Sequence, residues 1–256
     1  MLTLYRQEIF KLSKRKSPLM AMGILAVFNL LVAIVIKLNG KMFNADGVFA
    51  ANFLSAWLVA LLLIGATATI VTSEFEYNTI KNIIYQAGSR QRVLVSKWLA
   101  TLTYMVFLYA YMLVLNLLLK LILFNTNFSL SDKDGKFFIY QEWLYSAWGS
   151  FVKMLLVSSI VFLIAVLMKK SSAAIMVGTL TYLAVTLIGN VMEILLRKWE
   201  FLKWNPLNFT NYGNQLVDPT FANITHLTTN QLLWGSLAYT AVFLALGMWV
   251  FANKEV

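Results

Sequence analysis

The sequence predicts an all-α membrane protein: six transmembrane helices, an amphipathic interfacial helix ahead of them, and a short cytoplasmic helix between the second and third. Three observations carry that prediction. Hydrophobic residues fill 60% of the 256 positions and the mean hydropathy is +0.71, beyond the range of soluble domains. Charged residues, 12% of the chain, gather in short runs between apolar stretches of roughly 20 residues, the length a helix needs to cross a hydrocarbon core ~30 Å thick. One such run, 73–97, is itself amphipathic and too polar to lie in lipid. The whole of 1–256 reads as a single transmembrane domain.

Residues 1–17 form the interfacial helix, with Tyr5, Ile9, Phe10 and Leu12 dipping into the headgroups and Lys14, Arg15 and Lys16 facing anionic lipid. The segment is long, and a full-length span follows it without a small-residue cleavage site, so the N-terminus is expected to be retained rather than removed as a signal peptide. The spans are expected at about 18–36, 49–72, 98–124, 148–168, 172–196 and 232–251.

An even number of spans puts both termini on one side. Arg6, Lys11, Lys14, Arg15, Lys16, Lys81, Arg90, Arg92, Lys97, Lys169, Lys170 and Lys254 fall on that side, 12 basic residues. Lys37, Lys41, Lys133, Lys136, Arg197, Lys198 and Lys203, 7 residues, fall on the other. The positive-inside rule therefore predicts cytoplasmic termini in a multi-pass cell-membrane protein. The net charge of +10 fits a membrane-lipid partner, with no nucleic acid. Trp98 and Trp249 stand at inner span ends, and Trp143, Trp148, Trp199, Trp204 and Trp234 at outer ends, as an interfacial belt requires; Trp57 lies deeper and does not fit.

No catalytic constellation emerges. The chain has no cysteine and one histidine, His226, in the outer loop 197–231, where a solvated residue is the expectation. A thiolate site, a His-metal-His arrangement and a Ser-His pair involving a second histidine are excluded. No G-x-x-x-x-G-K-[ST] loop is present, so the chain itself is not expected to hydrolyse ATP and is not read as an enzyme.

The ionisable residues inside the spans are Lys120, Lys153 and Glu193, possible intramembrane polar sites of an ion-coupled carrier. All three lie toward outer ends, where the lysines can snorkel and Glu193 can pair with Arg197 one turn on, so a structural role is favoured. Asn29, Asn116 and Asn190 are candidates for interhelical hydrogen bonds. Gly65 with Thr69, and Ala174 with Gly178, have the small-xxx-small spacing of close helix packing. The sequons at Asn127, Asn208 and Asn223 are read as chance.

Segment 73–97 is the most informative. Ser73 and Glu76 have capping-box spacing, and Glu74 and Glu76 suit a helix amino end, so a new helix is expected to start at Ser73. Ile80, Ile83, Ile84 and Ala87 make an apolar face opposite Lys81, Asn82 and Gln86. Gly88 suits the position after such a helix, and Ser89 the cap of the next, with Arg90, Arg92 and Lys97 at the headgroups. The helix can rest on lipid or dock on a soluble partner.

The run Glu74-Phe75-Glu76-Tyr77-Asn78-Thr79-Ile80-Lys81-Asn82-Ile83-Ile84, then Gly88-Ser89-Arg90-Gln91-Arg92 and Lys97-Trp98-Leu99, resembles the loop between spans two and three of ABC-2-type ABC transporter permeases. It is most similar to their six-span group that includes lantibiotic-immunity and bacitracin-resistance permeases. Tyr5-Arg6-Gln7-Glu8-Ile9-Phe10-Lys11-Leu12 is similar to that group's start.

The resemblance implies that 74–87 is a coupling helix seated on a separate ATPase, with Glu74, Phe75, Glu76, Thr79, Ile80, Ile83, Ile84 and Arg90 as coupling residues. It implies two permeases, identical or paralogous, with two ATP- and magnesium-binding partner subunits, and no cofactor in this chain. It implies export of an amphipathic antimicrobial peptide, a lipid-linked molecule or a hydrophobic drug. In such permeases a re-entrant or lateral helix precedes span six, which 193–206 resembles, with Asn205-Pro206 expected to break it. The rival expectations are an ion-coupled secondary transporter and a non-transporting scaffold.

Overall fold

Leu2–Lys14 (α1) lies before the first span, Lys16–Leu38 (α2), and Ala45–Ala50 (α3) precedes the second, Ala56–Glu76 (α4). Ile80–Ala87 (α5) then leads into Arg90–Leu123 (α6). A two-stranded ribbon, Lys133–Asp134 (β1) against Phe137–Phe138 (β2), precedes Ile139–Leu167 (α7) and Ser171–Leu196 (α8). Tyr212–Val217 (α9) and Ala222–Thr225 (α10) lie before Thr229–Asn253 (α11). This computed structural model describes residues 1–40 and 43–254; Lys41, counted above among the outer basic residues, lies outside them.

Six helices, α2, α4, α6, α7, α8 and α11, are long and apolar enough to cross a membrane, and the chain is an all-α membrane protein. α4 and α7 form the centre: 56% of the apolar window of each is buried, against 22% for α8 and α11. Leu63 and Ile64 of α4, Met105 and Leu108 of α6, and Val157 and Val161 of α7 meet in one core without solvent exposure. α2, α8 and α11 keep long stripes of exposed Leu, Ile, Val and Met for lipid.

The second span begins later than expected. Asn52, Phe53 and Leu54 take positive φ (57, 48 and 58°), so the chain turns sharply and the span starts at Ala56 rather than at 49. Left-handed backbone costs roughly 1–2 kcal/mol per non-glycine residue, and side chains hold it here. Buried Asn52 accepts from Asn116 Nδ2 (3.2 Å) and donates to the Trp143 carbonyl (3.4 Å), while Phe53 is sealed between Phe49 and Phe124. The late start also corrects the reading of Trp57. It stands in the first turn of α4, 47% exposed and edge-on to Phe28, at a span end with the other belt tryptophans.

α7 begins at Ile139, nearer to the turn than 148, because Ile139 and Trp143 pack with Phe49, whose ring stacks on Trp143 at 5.3 Å. α6 is 34 residues long, about 51 Å at ~1.5 Å per residue, so it projects beyond a bilayer core.

At the end opposite the termini, the connection from α8 to α11 folds back onto the bundle. Segment 200–204 is a 3₁₀ turn bearing exposed Phe201 and Trp204, and it stops before Asn205-Pro206 as expected. The part that packs inward is Asn208–Asn211 with α9, rather than 193–206, because glycines admit it. A Cβ on Gly235 would fall 2.0 Å from the Phe209 ring, and one on Gly149 2.3 Å from Gly213 Cα. Asn208 is fully buried and donates to the carbonyls of Lys203 and Thr225, a structural use for that sequon residue. His226, exposed as expected, sets Nε2 3.2 Å from the carbonyl of Leu196, the last residue of α8.

Candidate functional site

The candidate site is the hairpin at the termini end of the bundle, from the last turn of α4 through α5 to the first turns of α6. Ser73 does not open a new helix. It lies inside α4, which runs on to Glu76, and its hydroxyl donates to the Glu74 carboxylate (3.3 Å). A cap residue needs non-helical backbone, and the chain leaves the helix only at Asn78 (φ 55°). There the Thr79 N–H donates to the Glu74 carbonyl (2.9 Å) and the Asn78 N–H to the Phe75 carbonyl (3.2 Å), the two bonds of a Schellman closure. α5 ends as its sequence predicts, on Gly88 with φ 69°, and Ser89 caps α6 by accepting the Arg92 N–H (3.3 Å). Two defined turns therefore join α5 to both neighbouring spans.

A buried knot of four charges lies beneath this hairpin. Lys97 of α6, 1% exposed, pairs with Glu74 of α4, stands 3.6 Å from Glu8 of α1 and donates to the Ile70 carbonyl (2.6 Å). Lys11 bridges the same carboxylates from α1, 2.8 Å from Glu8 and 3.0 Å from Glu74. Burial disfavours the Lys11 ammonium, but Glu8 and Glu74 more than offset it and hold its pKa above the ordinary value. Two carboxylates and two ammoniums balance, so the group is neutral as a whole. Removing any one leaves an uncompensated charge in a low-dielectric setting.

Two further fasteners tie the hairpin to the rest. Glu76 accepts the backbone N–H of Ser171 (3.1 Å) and the Ser171 hydroxyl, placing a carboxylate at the amino end of α8 where the helix dipole favours it. The Arg90 guanidinium donates to the carbonyls of Phe251 (3.3 Å), Ala252 (3.0 Å) and Lys254 (2.6 Å), satisfying the open carboxyl end of α11. Phe75 meets Phe251 edge-on at 5.9 Å and lies under the Lys254 ammonium at 4.3 Å. Burial, and then neighbouring Lys169, hold that ammonium below its ordinary pKa. Through α4 and the start of α6, the hairpin reaches α1, α8 and α11.

The family model described as "Protein of unknown function (DUF2705)" matches residues 19–256. The chain belongs to the DUF2705 family. It is also 25% identical over 252 residues to the "Uncharacterized membrane protein YdbK" of Bacillus subtilis (strain 168), covering 96% of this chain and 99% of that protein.

In this DUF2705 chain most of the expected coupling residues are engaged with the chain itself. Glu74, Phe75, Glu76 and Arg90 are fasteners, and Ile80 is buried while Ile83 and Ile84 pack against the chain's own core. The apolar face of α5 thus packs against the bundle, where α4, α6 and α11 present a matching apolar patch, with Ile83 and Ile84 only half-buried. Thr79, at the cap of α5, is exposed and makes no side-chain cap. The outward face of the DUF2705 hairpin is instead Tyr77 (74% exposed), Lys81, Asn82, Tyr85 (91%) and Gln86. The readable signal is Tyr85 itself, an aromatic centred on the polar side of an amphipathic helix. Lys97, expected at the headgroups, is the most deeply buried cation of the site.

The intramembrane polar residues do not converge. Lys120 is buried with its ammonium over the Phe128 ring at 5.5 Å, rather than snorkelled. Glu193 forms no ion pair with Arg197 among the described residues; it acts electrostatically on Lys153 instead. Asn116 bonds across to Asn52, Asn29 bonds back to its own helix at Leu25, and Asn190 faces outward. Gly178 packs tightly on Ile64 and Val161, whereas Gly65 has open space beside it. No cluster of three or more His, Cys, Asp or Glu side chains able to hold a metal occurs among the described residues.

Proposed function

We propose that this chain is the membrane-spanning permease subunit of an ATP-driven ABC exporter, with the α4–α5–α6 hairpin as its coupling element. The observation that carries the reading is α5 itself. It is a helix of two turns, rigidly closed at both ends, with its apolar side spent on its own bundle and an exposed tyrosine-lysine face left over. A force applied to that face reaches α4 and α6 directly, and α1, α8 and α11 through the charge knot, Glu76 and Arg90. The resemblance of 74–99 to ABC-2-type permeases supports the same assignment.

On this reading the termini and hairpin are cytoplasmic in the cell membrane. A separate ATPase, present in two copies, supplies ATP and magnesium, and a second permease, identical or paralogous, completes the pathway. The cargo is an amphipathic peptide of the lantibiotic type, a lipid-linked molecule or a hydrophobic drug.

The test is co-purification of the full chain with candidate ABC ATPase subunits. Exposed aromatic anchors of interfaces typically carry about 2 kcal/mol or more, so Tyr85→Ala is expected to weaken association by roughly 30-fold and to lower permease-stimulated ATPase activity. Undiminished association and stimulation in Tyr85→Glu would rule out docking on this face.

A further inference from the structure

A cavity of about 480 Å³ opens at the end of the bundle opposite the termini, between α7 and the inward-folded segment of the 197–231 connection. One wall is a stripe of α7, Ser146, Gly149, Ser150 and Lys153, spaced i, i+3, i+4 and i+7 so that all four share one helix face. Thr210, Gly213 and Asn214 stand across it, and Phe221 supplies an apolar wall. The two walls approach at Gly149 and Gly213, where a side chain on either would collide. The cavity is therefore shaped by glycine and lined by small polar groups, in a helix otherwise rich in Leu, Val and Phe.

Lys153 is the charged residue lining it. Its ammonium makes no hydrogen bond and no ion pair within 4 Å among the described residues, and Glu193 acts on it only electrostatically. The hydroxyls of Ser146 and Ser150 are likewise uncommitted among the described residues, whereas Thr210 donates to the Leu207 carbonyl (2.6 Å) and the Asn214 amide to Asn211 (3.3 Å). A cation with three donors and two hydroxyls on adjacent turns matches an acceptor-rich, singly charged group. Lys153 lies five residues beyond the belt tryptophan Trp148, about 7.5 Å along the helix. That depth suits the headgroup of an amphiphile better than a fully hydrated ion.

We propose that this cavity binds an oxyanion headgroup of the phosphate class, with Lys153 as the charge and Ser146 and Ser150 as orienting donors. The assignment needs no ATPase and stands or falls apart from the export reading. The test is native mass spectrometry of the purified full chain, titrated with dioleoylphosphatidylglycerol or dioleoylphosphatidylcholine, with inorganic phosphate as competitor.

Phosphatidylglycerol is expected to bind about tenfold or more tightly than phosphatidylcholine, which carries the same phosphate but adds a quaternary ammonium that repels the Lys153 cation. Lys153→Gln is expected to abolish that preference and Lys153→Arg to keep it, while Lys203→Gln, at the same end of the bundle, leaves it unchanged. Displacement by inorganic phosphate supports recognition of the free oxyanion, and resistance to it supports recognition of the lipid-borne one. Ser150→Val, which keeps the charge but fills the cavity, is expected to weaken binding and guards against a folding defect in Lys153→Gln. An equal preference in wild type and Lys153→Gln, or none in wild type, overturns the proposal.

Discussion

Lys97 is the residue on which the termini end of the bundle turns. It reaches Glu74, Glu8 and a backbone carbonyl from within the protein, so its loss leaves two carboxylates facing Lys11 alone. Breaking a buried pair from one side costs about 3–5 kcal/mol, whereas replacing both partners with apolar groups is often neutral. Lys97→Met is therefore expected to lower thermal stability in detergent sharply, and Lys97→Met with Glu74→Leu to recover most of it; a double variant no better than the single one would show that the two do not act as a pair. Hydropathy cannot announce this arrangement. A lysine near a span end reads as a headgroup anchor, and only the juxtaposition of α1, α4 and α6 turns it into a counter-ion.

Among the elements, α5 has two faces with different duties, and substitutions on each should fail differently. Ile83→Glu places a charge where the side chain packs on the core around Val93, Phe162 and Phe251, so it is expected to lower the stability of the isolated protein. Tyr85→Ala is expected to leave the isolated protein as stable as wild type and, on the proposed function, to weaken only the binding of the ATPase. A comparison of melting temperature with ATPase binding separates them, and equal destabilisation by both would contradict the two-faced arrangement.

The periodicity of Ile80, Ile83, Ile84 and Ala87, the Gly88 stop and the Ser89 cap were all readable, because each is a local consequence of the residues themselves. The span ends of α2, α8 and α11 were readable to within a few residues for the same reason. The turn at Asn52–Leu54 was not, since it lies in an apolar stretch, 49–64, with no glycine or proline and is held open by Asn116, Trp143 and Phe124 from distant segments. Ser73 and Glu76 carried a capping signal that the continuation of α4 overrode, with Ser73 inside the helix bonding its neighbour Glu74 and Glu76 taken by Ser171 of α8.

On the scale of the whole molecule, the two ends of the bundle are built differently. The termini end is fastened by ions and helix-terminus contacts among α1, α4, α6, α8 and α11, which suits a part that moves as one piece. The opposite end is fastened by close backbone approach at Gly149, Gly213 and Gly235, and it leaves a polar cavity between its layers.

The leading helix shares in that stiffness, since Tyr5 and Thr103 add a 2.8 Å hydrogen bond between hydroxyls to its two charged anchors. Because Glu8 and its partners Glu74 and Lys97 are sealed among side chains, with Lys11 alone partly exposed, added electrolyte is expected to leave the helix in place. A helix merely adsorbed on acidic headgroups would peel away as the Debye length contracts from ~10 Å at 0.1 M to ~3 Å at 1 M. In this cysteine-free chain, Ile9→Cys reports the difference, because Ile9 faces the core. Its maleimide reactivity is expected to be as slow in concentrated brine as in dilute buffer, and a rise would mean that the helix floats on the lipid after all.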